Sequence, residues 1–350
     1  MKIRYTIFSL FMAVALPSVA DDWMGHLPDD RPMCELSIPG THDAATGKGF
    51  LPADTLLGNL IGRTQELGID RQWSAGIRAF DLRPAVMTDS EGRQTLHVYH
   101  GEFATQYSFG DVLSLLRDSL RAHPSECAVI VMRHESSPSR DECRWAVIMD
   151  SCLKANADVL ADFRPGITLG QMRGRILLLS RDNYAPVPYG GYIKGWVHVA
   201  DLNSQRGAYI YGPSSEGDCP LWVQDFYDTS VADGLAVKTK AIARMAYAAV
   251  RMRPLMGHRY TWVINHTSGY SLTAKGYGDE PVSLTEGYRA NAATTNKTML
   301  GILADKQYDG PVGIIVMDFG GTDRSGSYDV SGLRLVNAVI SHNFANDVKK

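Results

Sequence analysis

The sequence predicts an α/β fold whose mostly parallel sheet closes, or nearly closes, into a barrel. Three observations lead there. Short apolar runs recur along the chain without strict polar–apolar alternation, which is how strands covered on both faces read. Stretches with helical periodicity lie between those runs, and that alternation is the pattern of parallel βα units. No repeat of fixed period and no Pro/Ser/Gly-rich linker divides the chain, so one domain over residues 21–350 is expected. An open doubly wound sheet satisfies the same pattern, but the length suits a barrel.

Taken in order, residues 1–20 stand apart. Lys2 and Arg4 precede an apolar core, and Ser18 and Ala20 occupy the small-residue positions of a cleavage site. That is the arrangement of a secretory signal peptide, and the core is short for a membrane span. Export is therefore expected, to the periplasm or the outside. The first strand is LSIPG at 36–40. IRAFDLRP (77–84), LHVYHG (96–101), ECAVIVMR (126–133), GRILLLSRD (174–182), YTWVINHTS (260–268) and VGIIVMDFGG (312–321) follow as further strands. Helices are expected over 109–123, 236–253 and 284–305. Residues 183–235 are rich in Gly, Pro, Tyr and Trp and read as long loops around a rim.

The formal net charge is −3, and −5 without Lys2 and Arg4. With no basic arm, a nucleic-acid partner is not expected. The chain has 5 cysteines, an odd number, so at least one is unpaired. Cys143 and Cys152 are the nearest pair for a bridge. None has CxxC spacing, and no zinc site is read.

The position of the ionisable residues is the informative feature. His42 and Asp43 follow LSIPG. Asp81 and Arg83 close IRAF, His100 closes LHVY, and Arg133, His134 and Glu135 close AVIVM. Arg181 and Asp182 close ILLLS, Asp225 and Tyr227 follow LWVQ, and Asp318 ends GIIVM. Strand C-termini are where α/β barrels place their chemistry. Plainer readings stand beside this one. His97 is read as structural, the Asp81–Arg83 pair is compatible with a structural ion pair, and Asp318 with a turn cap. Two histidines near a carboxylate can take and give a proton, a carboxylate behind an imidazole fixes its tautomer, and an arginine offers a fork of donors to a phosphoryl group. The set suggests attack of a hydroxyl on a phosphate ester without a metal. HExxH and GxSxG are absent from the sequence.

IPGTHD, GIRAFDLRP, the following YHG and the late IVMDF resemble bacterial phosphatidylinositol-specific phospholipase C. The resemblance is strongest over residues 36–135 and 312–321 and loose between them. It implies a distorted or incomplete TIM barrel. It also implies that His42 is the general base toward the inositol 2-hydroxyl, that Asp318 orients His42, and that His100 is the general acid toward the diacylglycerol oxygen. Asp43 would support His100, Arg83 would clamp the phosphate, and Asp81 would hold the network. Diacylglycerol and inositol 1,2-cyclic phosphate would be the products. Calcium-dependent relatives carry an asparagine after the first histidine and an acidic residue where Arg83 stands. A guanidinium there repels a cation, so no metal and no cofactor are expected, although Asp43, Asp81 and Glu135 are carboxylates a cation would seek.

For the head group the resemblance points to Asp225, Tyr227 and Arg181, with Arg133 standing where a lysine is commoner. The implied partners are the inositol head group and a phosphatidylinositol-bearing membrane or micelle surface. No stable protein partner is implied. Trp196, Trp222 and Tyr192 are either lipid-touching rim residues or packing residues. Cleavage of glycosylphosphatidylinositol anchors or another phosphodiester lipid is the first alternative. The second is an exported lipid- or glycan-binding protein without turnover.

Overall fold

The computed structural model describes residues 22–185, 189–213, 218–257, 260–272 and 283–344. The predicted signal peptide lies outside them. Three apolar or branched residue types, Ile, Val and Leu, dominate the central strands, and their side chains are buried on both faces. In chain order, β1 (Ser37–Thr41) precedes α1 (Thr55–Ile61) and α2 (Ile69–Ser74). Then come β2 (Ala79–Leu82), a ribbon of β3 (Pro84–Thr88), β4 (Gln94–His100) and β5 (Phe103–Ser108), and α3 (Phe109–Ala122). Next are β6 (Ala128–Met132), α4 (Trp145–Lys154), β7 (Leu160–Ala161), α5 (Leu169–Met172), β8 (Ile176–Ser180), β9 (Gly191–Lys194) and α6 (Leu202–Gln205). The chain continues with β10 (Ala208–Tyr211), β11 (Cys219–Gln224), α7 (Gly234–Tyr247), β12 (Trp262–His266), α8 (Leu284–Ala304), β13 (Gly313–Met317) and α9 (Gly332–His342).

The large sheet runs β6-β2-β1-β13-β12-β11-β10-β9-β8, and β8 pairs back onto β6, so the sheet closes. Closure removes the open sheet edge and decides against the doubly wound alternative. The neighbours are parallel except at β10, which runs antiparallel to β9 and β11. This mixed, closed α/β barrel is the distorted form of a TIM barrel.

Two expectations need correction. Residues 183–235 hold more than loops and the LWVQ strand, because β9, β10 and α6 lie within them as well as β11. Their turn-rich composition hid two strands of 4 residues each. LHVYHG does not join the barrel either. It forms most of β4, the middle strand of the separate antiparallel ribbon β3-β4-β5. The ribbon's tight turn uses Gly92 at φ 76°, a conformation that favours glycine.

Helix ends follow their sequence signals. Ser108 and Asp111 form a reciprocal capping box at the start of α3, and Ser283 caps α8. α7 ends at Tyr247 and passes through a wide turn over 248–252, short of the expected residue 253. The bottom of the barrel is sealed by buried Trp23, Met24 and Met33 and by the fully buried Arg78–Glu126 pair at 2.8 Å. Cys143 and Cys152 are not bridged, and the 5 cysteines are all free thiols.

Candidate active site

β1 delivers His42 to the C-terminal mouth because it is paired in parallel on both sides, with β13 and β2. The backbone there is held tightly. His42 N–H donates to the Met317 carbonyl at 3.0 Å, and Gln65 Nε2 donates to the carbonyls of both His42 (2.8 Å) and Met317 (3.0 Å). Asp43 follows in the left-handed region at φ 43°. Phe319, directly after Asp318, is also left-handed at φ 55°. Two non-glycine residues at or beside the key carboxylates thus hold a conformation that surrounding contacts must enforce.

His42 Nδ1 lies 2.8 Å from Asp318 Oδ1, and the other Asp318 oxygen accepts from Gly269 N–H at 3.1 Å. Asp318 is fully buried and acceptor-only, so Nδ1 carries the proton and Nε2 faces the cavity. Arg83 Nη2 comes within 2.8 Å of that Nε2, a hydrogen bond open only to the unprotonated nitrogen. The carboxylates pull the other way. Burial lowers the His42 pKa, but Asp43 and then Asp318 outweigh it and raise it to about 9.

Arg83 ties the acidic residues together. Its Nε is 3.0 Å from Asp43 Oδ1 and its Nη2 is 3.1 Å from Asp81 Oδ2. Burial alone would raise the Asp81 carboxyl, yet Arg83 and His42 bring it down to about 2. Burial disfavours the Arg83 cation in turn, while Asp43 and Asp81 hold it charged far above the ordinary range. Asp43 Oδ2 lies between the two histidines, 3.1 Å from His42 Nε2 and 3.5 Å from His100 Nε2.

His100 reaches this cluster from the ribbon, not from a barrel strand end. Its Nδ1 donates to the Gly62 carbonyl at 2.7 Å, which leaves Nε2 turned inward. The His42 and His100 ring centroids are 6.3 Å apart. Tyr288, on the first turn of α8, completes a triangle of rings at 6.3 Å from His42 and 6.0 Å from His100.

A cavity of about 170 Å³ opens from these groups toward Arg133, Arg181, His198, Asp225, Tyr227 and Tyr270. Arg181 stacks over the Trp196 ring at 4.2 Å and reaches His198 Nε2 at 3.1 Å. His198 Nδ1 and Trp196 Nε1 meet Asp225 Oδ2 at 2.9 and 2.8 Å. Burial opposes the Asp225 charge, but His266 and His198 hold its pKa well below the usual range. Arg133 is looser, 3.9 Å from Glu135 and half-exposed. Tyr227 is 41 % exposed at the rim.

The ten residues to which the resemblance gives catalytic or head-group roles therefore lie in or around one cavity. Sequence reasoning missed four others. His266 ends β12, so the strand-end rule that found Asp318 would have found it. His198 and Tyr270 sit on rim loops, and Tyr288 sits on a helix, where that rule gives no signal. Trp222 does not reach lipid, because it is buried between β11 and α7 against Met245 and Ala249. Trp196 is a packing residue behind the cavity, partly buried against the core with its ring on Arg181 and its Nε1 on Asp225. His97 is structural, its Nε2 paired with the Thr105 carbonyl at 2.7 Å. His134 is also structural, stacked on Trp145 at 3.9 Å and paired with Glu142.

Among the described residues, the metal-ligating atoms that gather are those of His42, Asp43 and Asp81, within 4.8 Å of one another. Arg83 touches all three. A divalent ion in that place would sit against a buried guanidinium, and calcium needs six or more oxygens. The donor set does not fit an ion while Arg83 is there.

No family model matches the chain. Individual relatives do. A 1-phosphatidylinositol phosphodiesterase of Listeria monocytogenes is 27 % identical over 308 residues, 85 % of this chain and 80 % of that protein. A 1-phosphatidylinositol phosphodiesterase of Staphylococcus aureus is 26 % identical over 222 residues, 61 % of this chain and 66 % of that protein. Among solved structures, the phosphatidylinositol-specific phospholipase C of L. monocytogenes superposes with a TM-score of 0.64 at 22 % identity, over 92 % of this chain and 98 % of that one. A phosphatidylinositol-specific phospholipase C of S. aureus gives 0.69 at 21 %, over 93 % and 97 %. The chain closely matches the bacterial 1-phosphatidylinositol phosphodiesterases in sequence and in fold. Human PI-PLC X domain-containing protein 1 is 28 % identical over a shorter stretch of 189 residues. The solved phosphodiesterase structures share the barrel with this chain over nearly its whole length, including the loosely matching middle section.

Proposed function

We propose that this protein is a metal-independent phosphatidylinositol phosphodiesterase of the phospholipase C type, exported as a single catalytic domain over residues 21–350. The observation that carries the reading is the pair of inward-facing imidazoles 6.3 Å apart, with the Arg83 guanidinium against one of them and Asp43 between both. Similarity to the bacterial phosphodiesterases supports the same chemistry.

Each step follows from an atom already placed. The inositol ring enters the cavity against Arg181, Asp225 and Tyr227, with Arg133 at its edge. Neutral His42 Nε2 removes the 2-hydroxyl proton, and Asp318 stabilises the imidazolium that forms. The oxygen attacks phosphorus within the same molecule, so the reacting atoms need no separate encounter. Arg83 offers its fork to a non-bridging oxygen as charge gathers there, the role a cation would otherwise fill. His100 gives its Nε2 proton to the departing diacylglycerol oxygen. The product is inositol 1,2-cyclic phosphate.

The leaving lipid has a surface nearby. α1 runs up to Gly62, whose carbonyl holds His100, and exposes Leu56 (76 %), Leu57 (56 %) and Leu60 (46 %). Adjacent exposed leucines on one short helix suit a lipid surface better than water.

The test is phosphatidylinositol cleavage in excess chelator, with and without added calcium, read by phosphorus NMR. A cyclic phosphate formed in chelator is the expected result. Activity only after calcium is added would remove Arg83 from its role, and no product in either condition would refute the reading.

A further inference from the structure

Tyr288 is not explained by packing alone. Its ring is buried against Phe319, Ala292 and Val330, which ties it to the residue after Asp318. Gly287 makes the position possible, since a Cβ there would overlap the Ser271 carbonyl and push α8 away. The phenol oxygen lies 3.4 Å from His100 Nε2. Burial, then the charges of Asp43 and Asp318, push its pKa well above 10, so it stays a neutral O–H donor.

The two partners of His100 Nε2 serve opposite protonation states. Asp43 Oδ2, at 3.5 Å, is an acceptor and favours the protonated nitrogen. Once His100 has given its proton to the leaving oxygen, Nε2 holds a lone pair that faces this same carboxylate. His100 Nδ1 is already committed to Gly62. Among the described residues Tyr288 supplies the hydroxyl placed to donate to that lone pair. A buried acceptor without a donor costs more than an ordinary hydrogen bond returns.

Resting on the proposed phosphodiesterase reading, we propose that Tyr288 is a positioning residue for the general acid, donating its O–H to His100 Nε2 once that nitrogen has lost its proton. The nitrogen has one in-plane lone pair, so this hydrogen bond forms after the transfer, when the diacylglycerol hydroxyl withdraws. It then holds the neutral ring in place until it is reprotonated, and its loss slows turnover only where the leaving group has taken the proton. The proton balance is simple: the His100 proton ends on the diacylglycerol hydroxyl, and the Tyr288 proton stays on Tyr288.

Tyr288→Phe keeps the ring and its packing, and a thermal melt checks that it does. The variant is assayed on two substrates, phosphatidylinositol in detergent micelles and a soluble inositol phosphate ester with a 4-nitrophenyl leaving group, which departs without a proton. The expected result is a kcat about tenfold lower on the lipid with KM unchanged, one hydrogen bond's worth, and a rate within about twofold of wild type on the nitrophenyl ester. In ¹⁵N-histidine-labelled protein, Tyr288→Phe moves the His100 Nε2 resonance. An equal loss on both substrates would overturn the inference, as would no loss on the lipid or an unmoved resonance. Wild-type protein that turns over neither substrate would instead refute the phosphodiesterase reading, while the NMR comparison still decides whether the bond exists.

Discussion

Asp318 Oδ1 sits 2.8 Å from His42 Nδ1 although 276 residues separate them in the chain. The contact exists because β1 and β13 are adjacent and in register, with Thr41 opposite Met317, so the residues that follow each strand emerge side by side. The β1–β13 pairing thereby makes the pair of His42 and Asp318, proposed as base and orienting carboxylate. Asp318→Asn removes one of the anions that raise the His42 pKa to about 9. If His42 is the base, it acts when neutral, so the rising limb of kcat/KM should move to lower pH. The plateau should fall by about 10²–10⁴, because the amide no longer fixes the tautomer or stabilises the imidazolium. A pH–rate profile of the variant measures both, and an unmoved limb would separate Asp318 from the base.

His42→Ala and His100→Ala should each lose most cleavage, at least about 10² in kcat, the usual contribution of a positioned acid or base. Circular dichroism should be unchanged. The nitrophenyl ester separates them, because the His42 variant stays inactive on it while the His100 variant recovers. Near-wild-type rates on the lipid in either variant would sink the acid–base assignment.

The α1 leucines make a different prediction. Replacing Leu56, Leu57 and Leu60 with serine should cut activity on phosphatidylinositol vesicles by at least about tenfold, since each buried leucine is worth on the order of 1.5–3 kcal/mol. Activity on a soluble inositol phosphate ester should stay near wild type. Equal losses on both would mean that α1 shapes the site and does not contact lipid.

Lys238 is fully buried on α7 and meets Gln224 Oε1 at 3.3 Å. Burial lowers its pKa from 10.5 to about 7, partly opposed by Asp225 and Asp318. Folding expels a proton between those values, so this lysine makes the protein less stable as pH falls from 10.5 to 7. Below 7 the penalty is constant, because the group is then charged in both states. Lys238→Met should raise the melting temperature most at pH 7 and below, with the gain shrinking as pH approaches 10. A gain independent of pH would show that repacking, not ionisation, sets the difference.

Much of this was legible in the sequence, for a physical reason. Strands buried on both faces leave unbroken apolar runs, and an ionisable residue at the end of such a run stands out. That rule found His42, Asp81, Arg83, Asp318 and the rim residues Arg133, Arg181 and Asp225. It failed where the geometry differs. β9 and β10 are only 4 residues each, too short to rise above their Gly- and Tyr-rich surroundings. His100 was found by its place after LHVY, yet that strand belongs to the ribbon, and pairing partners cannot be read from one strand. Tyr288 carried no local signal, because a tyrosine on a helix face is the commonest kind of packing residue.

The separate ribbon has an engineering consequence. The proposed base, His42, follows a strand paired in parallel on both sides and cannot shift without disturbing those pairings. The proposed acid, His100, rides on a three-stranded appendage with an exposed turn at its far end. Changes in ribbon length or twist at the end far from Arg83 should retune proton delivery to the leaving group more than proton removal from the nucleophile. On the proposed roles, the two proton transfers rest on different supports joined through Asp43, and the ribbon is the support to alter when adapting the protein to leaving groups of different basicity.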